Sequence, residues 1–194
     1  MAGTAKYTAV LDACVLYPVT IADILIQLAI EGLFTAKWSA DIDREWTTSL
    51  KKDRPDLTDE QINYRLQNLH KAIPDWEIDQ SKYQYLIANL ALPDLNDRHV
   101  LAAAIIGQAD CIITSNLKDF PSDTLAIHGV EVIHPDEFIP LQLSLEPFHA
   151  LTAIKHVRAR LKNPPFTPHE FLRRLERASL VGTAARLADA IELI

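Results

Sequence analysis

Short apolar runs, too brief for helices, alternate along this chain with segments whose apolar residues recur every three to four positions. Tyr7–Leu11, Cys111–Thr114 and Gly129–Ile133 read as strands, rich in strand formers and bounded by polar or turn residues. After the first run, Ile21, Ile24, Leu25 and Leu28 fall on one face of a helix that Gly32 stops. Ser39 caps a second helix reaching about Lys51, with Glu45 in its middle. A capping box at Thr58 and Gln61 opens a third helix toward Ile73, and residues 81–90 read as a fourth. Trp76–Ile78 is a further strand candidate. PDLND forms a turn, and DRHVLAAAIIGQA is a helix whose first turn carries Asp97 and which stops near Gly107. His134–Phe138 reads as a short closing helix. Strands alternating with helices require a parallel sheet covered on both faces, an α/β sandwich.

From Pro140 to Pro147 the pattern breaks. Beyond it, 147–162, 167–178 and 180–193 read as three helices, the second opened by Thr167 and Glu170 with Pro168 at its first position. The chain therefore divides into an α/β body, residues 1–142, and an all-helical C-terminal extension, residues 147–194. Charge divides with it. The net charge of the 194 residues is −7, but residues 1–150 carry 11 basic and 22 acidic side chains against 8 and 4 in residues 151–194. An acidic body and a basic tail share one chain. The tail cations Arg158, Arg160, Lys162, Arg173, Arg174 and Arg177 can either hold nucleic-acid phosphates or complement the acidic body.

Several classes are excluded. No apolar stretch approaches the roughly 20 residues of a membrane span, and MAGTAKYTAV lacks a secretory apolar region, so a cytoplasmic location is expected. With five Gly there is no dinucleotide fingerprint or P-loop, and no Cys or His spacing reads as a zinc site. Cys14 stands where an aspartyl phosphatase would need a second Asp. Cys14 and Cys111 read as small buried residues rather than nucleophiles. His99, two positions beyond Asp97 on a helix, is expected on a different face.

In an open α/β sheet the ligand crevice lies beyond the carboxyl ends of the strands, so acids that follow strands are the first candidates for function. Asp12 ends the first run, and Asp119 follows the Cys111–Thr114 run with Asn116 between them. Asp97 opens a helix, and Glu45 lies mid-helix beside Trp46. Each also has a purely structural reading: Asp97 as a helix cap, Asp119 as a turn former, Glu45 as a solvated helix residue, Asp12 as a strand-end polar group. Gathered at one edge they would repel by about 4 kcal/mol per close pair at an effective dielectric of 20. A divalent cation removes that cost, and oxygen-only donors suit Mg²⁺ or Mn²⁺.

In LDACVLYP, SADIDREW, LPDLNDRHVLAAAI and IITSNLKDFP, occurring in that order over about residues 7–140, the chain resembles the PIN-domain family and, within it, the VapC-type toxin ribonucleases. The tail segment RLKNPPFTPHEFLRRLE resembles the helical extension of a subset of those toxins. The resemblance implies a three-layer sandwich around a central parallel sheet. It implies Mg²⁺-dependent endoribonuclease activity leaving 5′-phosphate and 3′-hydroxyl ends, with Mn²⁺ as a substitute. Asp12, Glu45, Asp97 and Asp119 would be the metal-binding acids and Asp94 an accessory one, with Thr114, Ser115 and Asn116 near the substrate. Many members carry Asp where this chain has Asn116, which leaves open whether Asn116 or Asp119 completes the set. RNA, tRNA included, a cognate antitoxin protein and a second copy of the chain are the implied partners. The alternatives are a non-cleaving PIN-like RNA-binding or protein-interaction module and a DNA nuclease on the same fold.

Overall fold

The computed structural model describes residues 6–194; residues 1–5, part of the segment read for a leader, lie outside them. Four strands form one parallel sheet: β1 (Thr8–Leu11), β2 (Thr35–Lys37), β3 (Cys111–Ile113) and β4 (Glu131–Ile133), in the order β2-β1-β3-β4. Val10 sits beside Ile112, and Ile112 beside Val132. Ala9, Val10 and Leu11 of β1 and all of β3 are fully buried, which a sheet achieves only when helices cover both faces. The fold is an α/β sandwich with a helical C-terminal region.

The body's helices are α1 (Ala13–Leu16), α2 (Val19–Ile30), α3 (Ala40–Asp53), α4 (Asp59–Ala72), α5 (Gln80–Ile87), α6 (Arg98–Ile106) and α7 (Ser122–Ala126). The starts of α1, α3, α4 and α5 carry side-chain caps. Ser39 Oγ accepts from Ile42 N to open α3, and Thr58 and Gln61 complete the expected capping box on α4. Gly32, at φ +82°, turns the chain after α2. Val100 to Ala104 of α6 are all buried, the small Ala side chains letting this helix press against β1 and β3.

The remainder is α8 (Pro135–Leu145), α9 (Pro147–Arg160), α10 (Pro168–Arg177) and α11 (Val181–Ala188). The closing helix expected at His134–Phe138 is longer, and Pro140 lies inside it, so the stretch read as a break is helical with only Glu146 before α9. Trp76–Ile78 is no strand; it contributes a single bridge, Glu77 to Trp38. β2, α1 and α7 have no counterpart in the sequence pattern because segments of three to five residues show no period. α2 runs between body and tail. Ile21, Ala22, Ile24, Leu25, Ile26, Gln27 and Leu28 are buried, more than one helical face, because α9 packs Ala150, Ala153, Ile154 and Val157 onto the side away from the sheet.

Candidate metal centre

β1 and β3 are neighbours, while the chain continues outward from them in opposite directions to β2 and β4, so the strand order reverses between them. The crevice at such a reversal is where open α/β sheets bind ligands. Both strands end there in a polar residue that continues the ladder: Asp12 N donates to Ile113 O, and Thr114 N to Ile133 O, each at 3.1 Å.

Asp12 is buried and its carboxylate is fixed on both oxygens. Oδ1 accepts from Ala13 N at 2.7 Å, capping α1, and Oδ2 accepts from the Thr114 hydroxyl at 2.7 Å and the Cys14 thiol at 3.0 Å. Thr114 is itself fully buried, and its oxygen also accepts from Asn116 N at 3.0 Å. With its hydroxyl committed in this way, Thr114 orients Asp12; of the three residues expected near substrate, Ser115 is exposed and Asn116 half-buried. Burial and the adjacent Asp12 push the Cys14 thiol up to about 12, which makes it a hydrogen-bond donor and not a nucleophile.

The 94–99 segment supplies the next carboxylates. Asp94 opens a 3-10 turn, Leu95–Asp97, by accepting from Asn96 N at 2.8 Å, whereas Asp97 makes no side-chain cap bond to α6. Its carboxylate is therefore unspent. One oxygen each from Asp94, Asp97 and Asp119 lies within 4.8 Å of the others. Asp119 sits on the 3-10 turn Leu117–Asp119, where the Asn116 side-chain amide donates to its Oδ2. Asn116 thus braces Asp119, and it is Asp119 that joins the carboxylate trio.

Asp12 and Glu45 stand outside that trio but within its field. Burial first, then Asp12, Asp94 and Asp119, push the Asp97 carboxyl up to about 7; burial, then Asp12, Asp97 and Asp94, push Glu45 to about 7. Such repulsion is what a bound cation would relieve, and an all-oxygen donor set fits Mg²⁺ or Mn²⁺ by chemistry. Both carboxyls titrate higher folded than unfolded, so the stability they contribute at low pH is lost as pH rises from about 4 through 7. Mg²⁺ should therefore raise the melting temperature more at pH 8 than at pH 5.5 in thermal melts against EDTA; equal shifts at both values would refute cation binding by these carboxylates.

Beside the carboxylates runs a groove of about 720 Å³ lined by Arg44, Glu45, Gln80, Asn96, Asp97 and His99 among others. His99 is on this wall, contrary to the expected different face. Asp97 lies in the 3-10 turn and α6 begins only at Arg98, so regular helical spacing does not hold between residues 97 and 99. His99 Nδ1 is 2.6 Å from Asn96 O, and Nε2 is 3.5 Å from Glu45 Oε2 without a hydrogen bond.

Glu45 is carried by a rigid support. Asp43, two positions earlier on α3 and buried, accepts at Oδ1 from both Trp38 Nε1 (3.1 Å) and Trp46 Nε1 (2.9 Å), while Oδ2 is 2.7 Å from His70 Nε2. His70 in turn stacks on Trp76, ring centroids 4.0 Å apart. Neither His70's contact with Asp43 nor Thr114's bond to Asp12 has a signature in sequence spacing, since each joins elements far apart in the chain.

Comparison with known proteins accords with this geometry. The PIN domain family model matches residues 8–118, and the model for the VapC50 C-terminal domain matches residues 135–189. A protein named "Putative ribonuclease VapC50", from Mycobacterium tuberculosis, is 43% identical over 76 residues, 39% of this chain and 45% of that relative. The match thus spans less than half of the relative's length. No solved structure matches the chain.

Proposed function

The chain belongs to the PIN-domain family, and from that premise we propose that it is a metal-dependent endoribonuclease, the toxin of a toxin–antitoxin pair. The observation that carries this reading is the convergence of Asp94, Asp97 and Asp119 next to the doubly fixed Asp12 at the strand reversal. In this reading the trio holds Mg²⁺, or Mn²⁺ in its place, and Asp12 and Glu45 complete the negative field around it. When bound, the cation supplies the charge that activates water against the scissile phosphorus and stabilises the departing 3′ oxygen. Thr114 keeps Asp12 in register and Asn116 keeps Asp119 in register, so neither carboxylate must reorganise during the reaction. The groove between α3, α5 and residues 94–99 seats the strand being cut.

Residues 1–142 form the nuclease unit in this proposal and 147–194 its extension. The match of residues 135–189 to a VapC50 domain supports an antitoxin partner, and the family resemblance a homodimer and a cytoplasmic location. Among the described residues no helix is long and apolar enough to cross a membrane. A degenerate interaction module would not need so many carboxylates at one strand reversal, where their mutual repulsion only destabilises the fold.

The test is incubation of the full chain with total RNA, defined tRNA and single-stranded DNA, followed by mapping of the product ends. RNA cleavage in Mg²⁺ or Mn²⁺, arrested by EDTA and leaving 5′-phosphates, is the expected result. Cleavage of DNA alone, or of neither nucleic acid, would overturn the reading.

A further inference from the structure

A crevice opens beside the carboxylates between the end of α1 and α3. Its volume is about 270 Å³, and it is lined by Cys14 and Tyr17 from one side and by Glu45, Trp46, Ser49 and Asp53 of α3 from the other. Glu45 and Ser49 also line the groove of about 720 Å³, so the two hollows meet along α3. Glu45, Ser49 and Asp53 are all exposed and follow one another at four-residue spacing, which makes them a single strip of the helix about 12 Å long. Across the crevice, the Cys14 thiol donates to Asp12 Oδ2 at 3.0 Å. The crevice therefore begins at the candidate metal centre and ends at Asp53.

We propose that this crevice seats the base next to the scissile phosphate and that Asp53, oriented by Tyr17, selects guanine there; this deepens the ribonuclease reading and rests on it.

Asp53 stands against its local electrostatics. It closes α3, where the helix dipole disfavours an anion. Its basic neighbours in the chain turn to other acids, Lys51 to Asp59 at 2.7 Å and Arg54 to Asp56 at 2.6 Å. Among the described residues no basic nitrogen lies within 4.0 Å of Asp53. What fixes it is the Tyr17 hydroxyl, which donates to Oδ2 at 3.1 Å. Neither a helix cap nor an ion pair accounts for the acid, and one phenol bond leaves most of its lone-pair sites free to accept. At about 12 Å along the helix from Glu45, it is also too far to share a cation with that residue.

Size and hydrogen-bond chemistry choose the ligand. The crevice falls below the roughly 300–1,000 Å³ of sites for drug-sized molecules and admits one nucleoside, not a folded RNA element. Single-stranded RNA is read at the Watson–Crick edges of unstacked bases, which lie on aromatic side chains such as the half-buried Tyr17. Of the four bases, only guanine presents two adjacent donors on that edge, N1–H and the N2 amino group, and these match the two oxygens of a carboxylate that can only accept. Adenine, cytosine and uracil each set an acceptor beside the donor, facing a carboxylate oxygen with no proton to give.

The test gives the full chain, in Mg²⁺, a pool of single-stranded RNAs of randomised sequence, and the product ends are sequenced. Guanine should be enriched at one fixed position adjoining the cut. Matched RNAs carrying guanine, inosine or adenine at that position then report relative cleavage rates: guanine should exceed adenine by about tenfold, with inosine, which lacks the N2 amino group, in between. Asp53→Asn should bring the guanine-to-adenine ratio close to one, and Tyr17→Phe should lower it part of the way. An acid that only supports the fold would change both rates alike and leave their ratio intact. An unchanged ratio in Asp53→Asn, inosine cut as fast as guanine, or RNA cleavage by the parent without guanine enrichment would each overturn the subsite alone. A parent chain that does not cleave RNA would overturn the ribonuclease reading and the subsite with it.

Discussion

Asp97→Asn should lower Mg²⁺-dependent RNA cleavage by at least about a hundredfold, since removing a ligand exceeds the 10- to 100-fold cost of removing a group that supports one, while raising the thermal stability of the metal-free chain. The two effects have one cause. The Asp97 carboxyl is pushed up to about 7 by burial and by Asp12, Asp94 and Asp119, and it makes no cap bond that an amide would forfeit. A neutral isostere removes the repulsion from the metal-free centre and, with it, the charge the cation needs. Product analysis on denaturing gels and melting in EDTA read the two outcomes separately. Wild-type cleavage would show that the metal is held elsewhere; a lower melting temperature would show that the Asp97 charge is not in conflict with its neighbours.

The second large effect is on folding. Asp43→Ala should destabilise the chain by about 4 kcal/mol, because it leaves the Trp38 and Trp46 indole N–H groups and the His70 ring without their shared acceptor, all of them charge-assisted bonds. For a chain of this size that corresponds to a fall in melting temperature of roughly 10 °C. Asp43→Asn keeps one oxygen for the two indoles and should cost less than half as much. Calorimetry on the three proteins decides: if alanine is no worse than asparagine, the indole bonds contribute nothing.

Periodic and local features are the ones legible in the sequence. α2 and α4 announce themselves by apolar spacing and by a capping box, and β1 and β3 by compact apolar runs. Asp12 and Asp119 are identifiable because they follow strands, and Asp97 because it precedes a helix. The geometry that differentiates these acids is not legible. Asp94 rather than Asp12 shares the close trio because a single hydrogen bond, Asn96 N to Asp94 Oδ1, shapes the turn around it. His99 departs from its expected face for a related reason: the helix begins later than its sequence pattern suggests, and side chains in the 3-10 turn point where α-helical spacing would not put them.

The doubly covered α2 has a consequence for any shortened form of this protein. A surface helix ordinarily keeps one polar stripe, but here Ile21, Ile24, Leu25, Ile26 and Leu28 lie buried between a sheet and α9. A polypeptide ending at residue 142 would turn part of that oily surface toward water, and such surfaces drive self-association. The terminal helices therefore act as a covalently tethered chaperone for the α/β half, and loss of RNA cleavage on deleting them would report precipitation before it reported any loss of recognition.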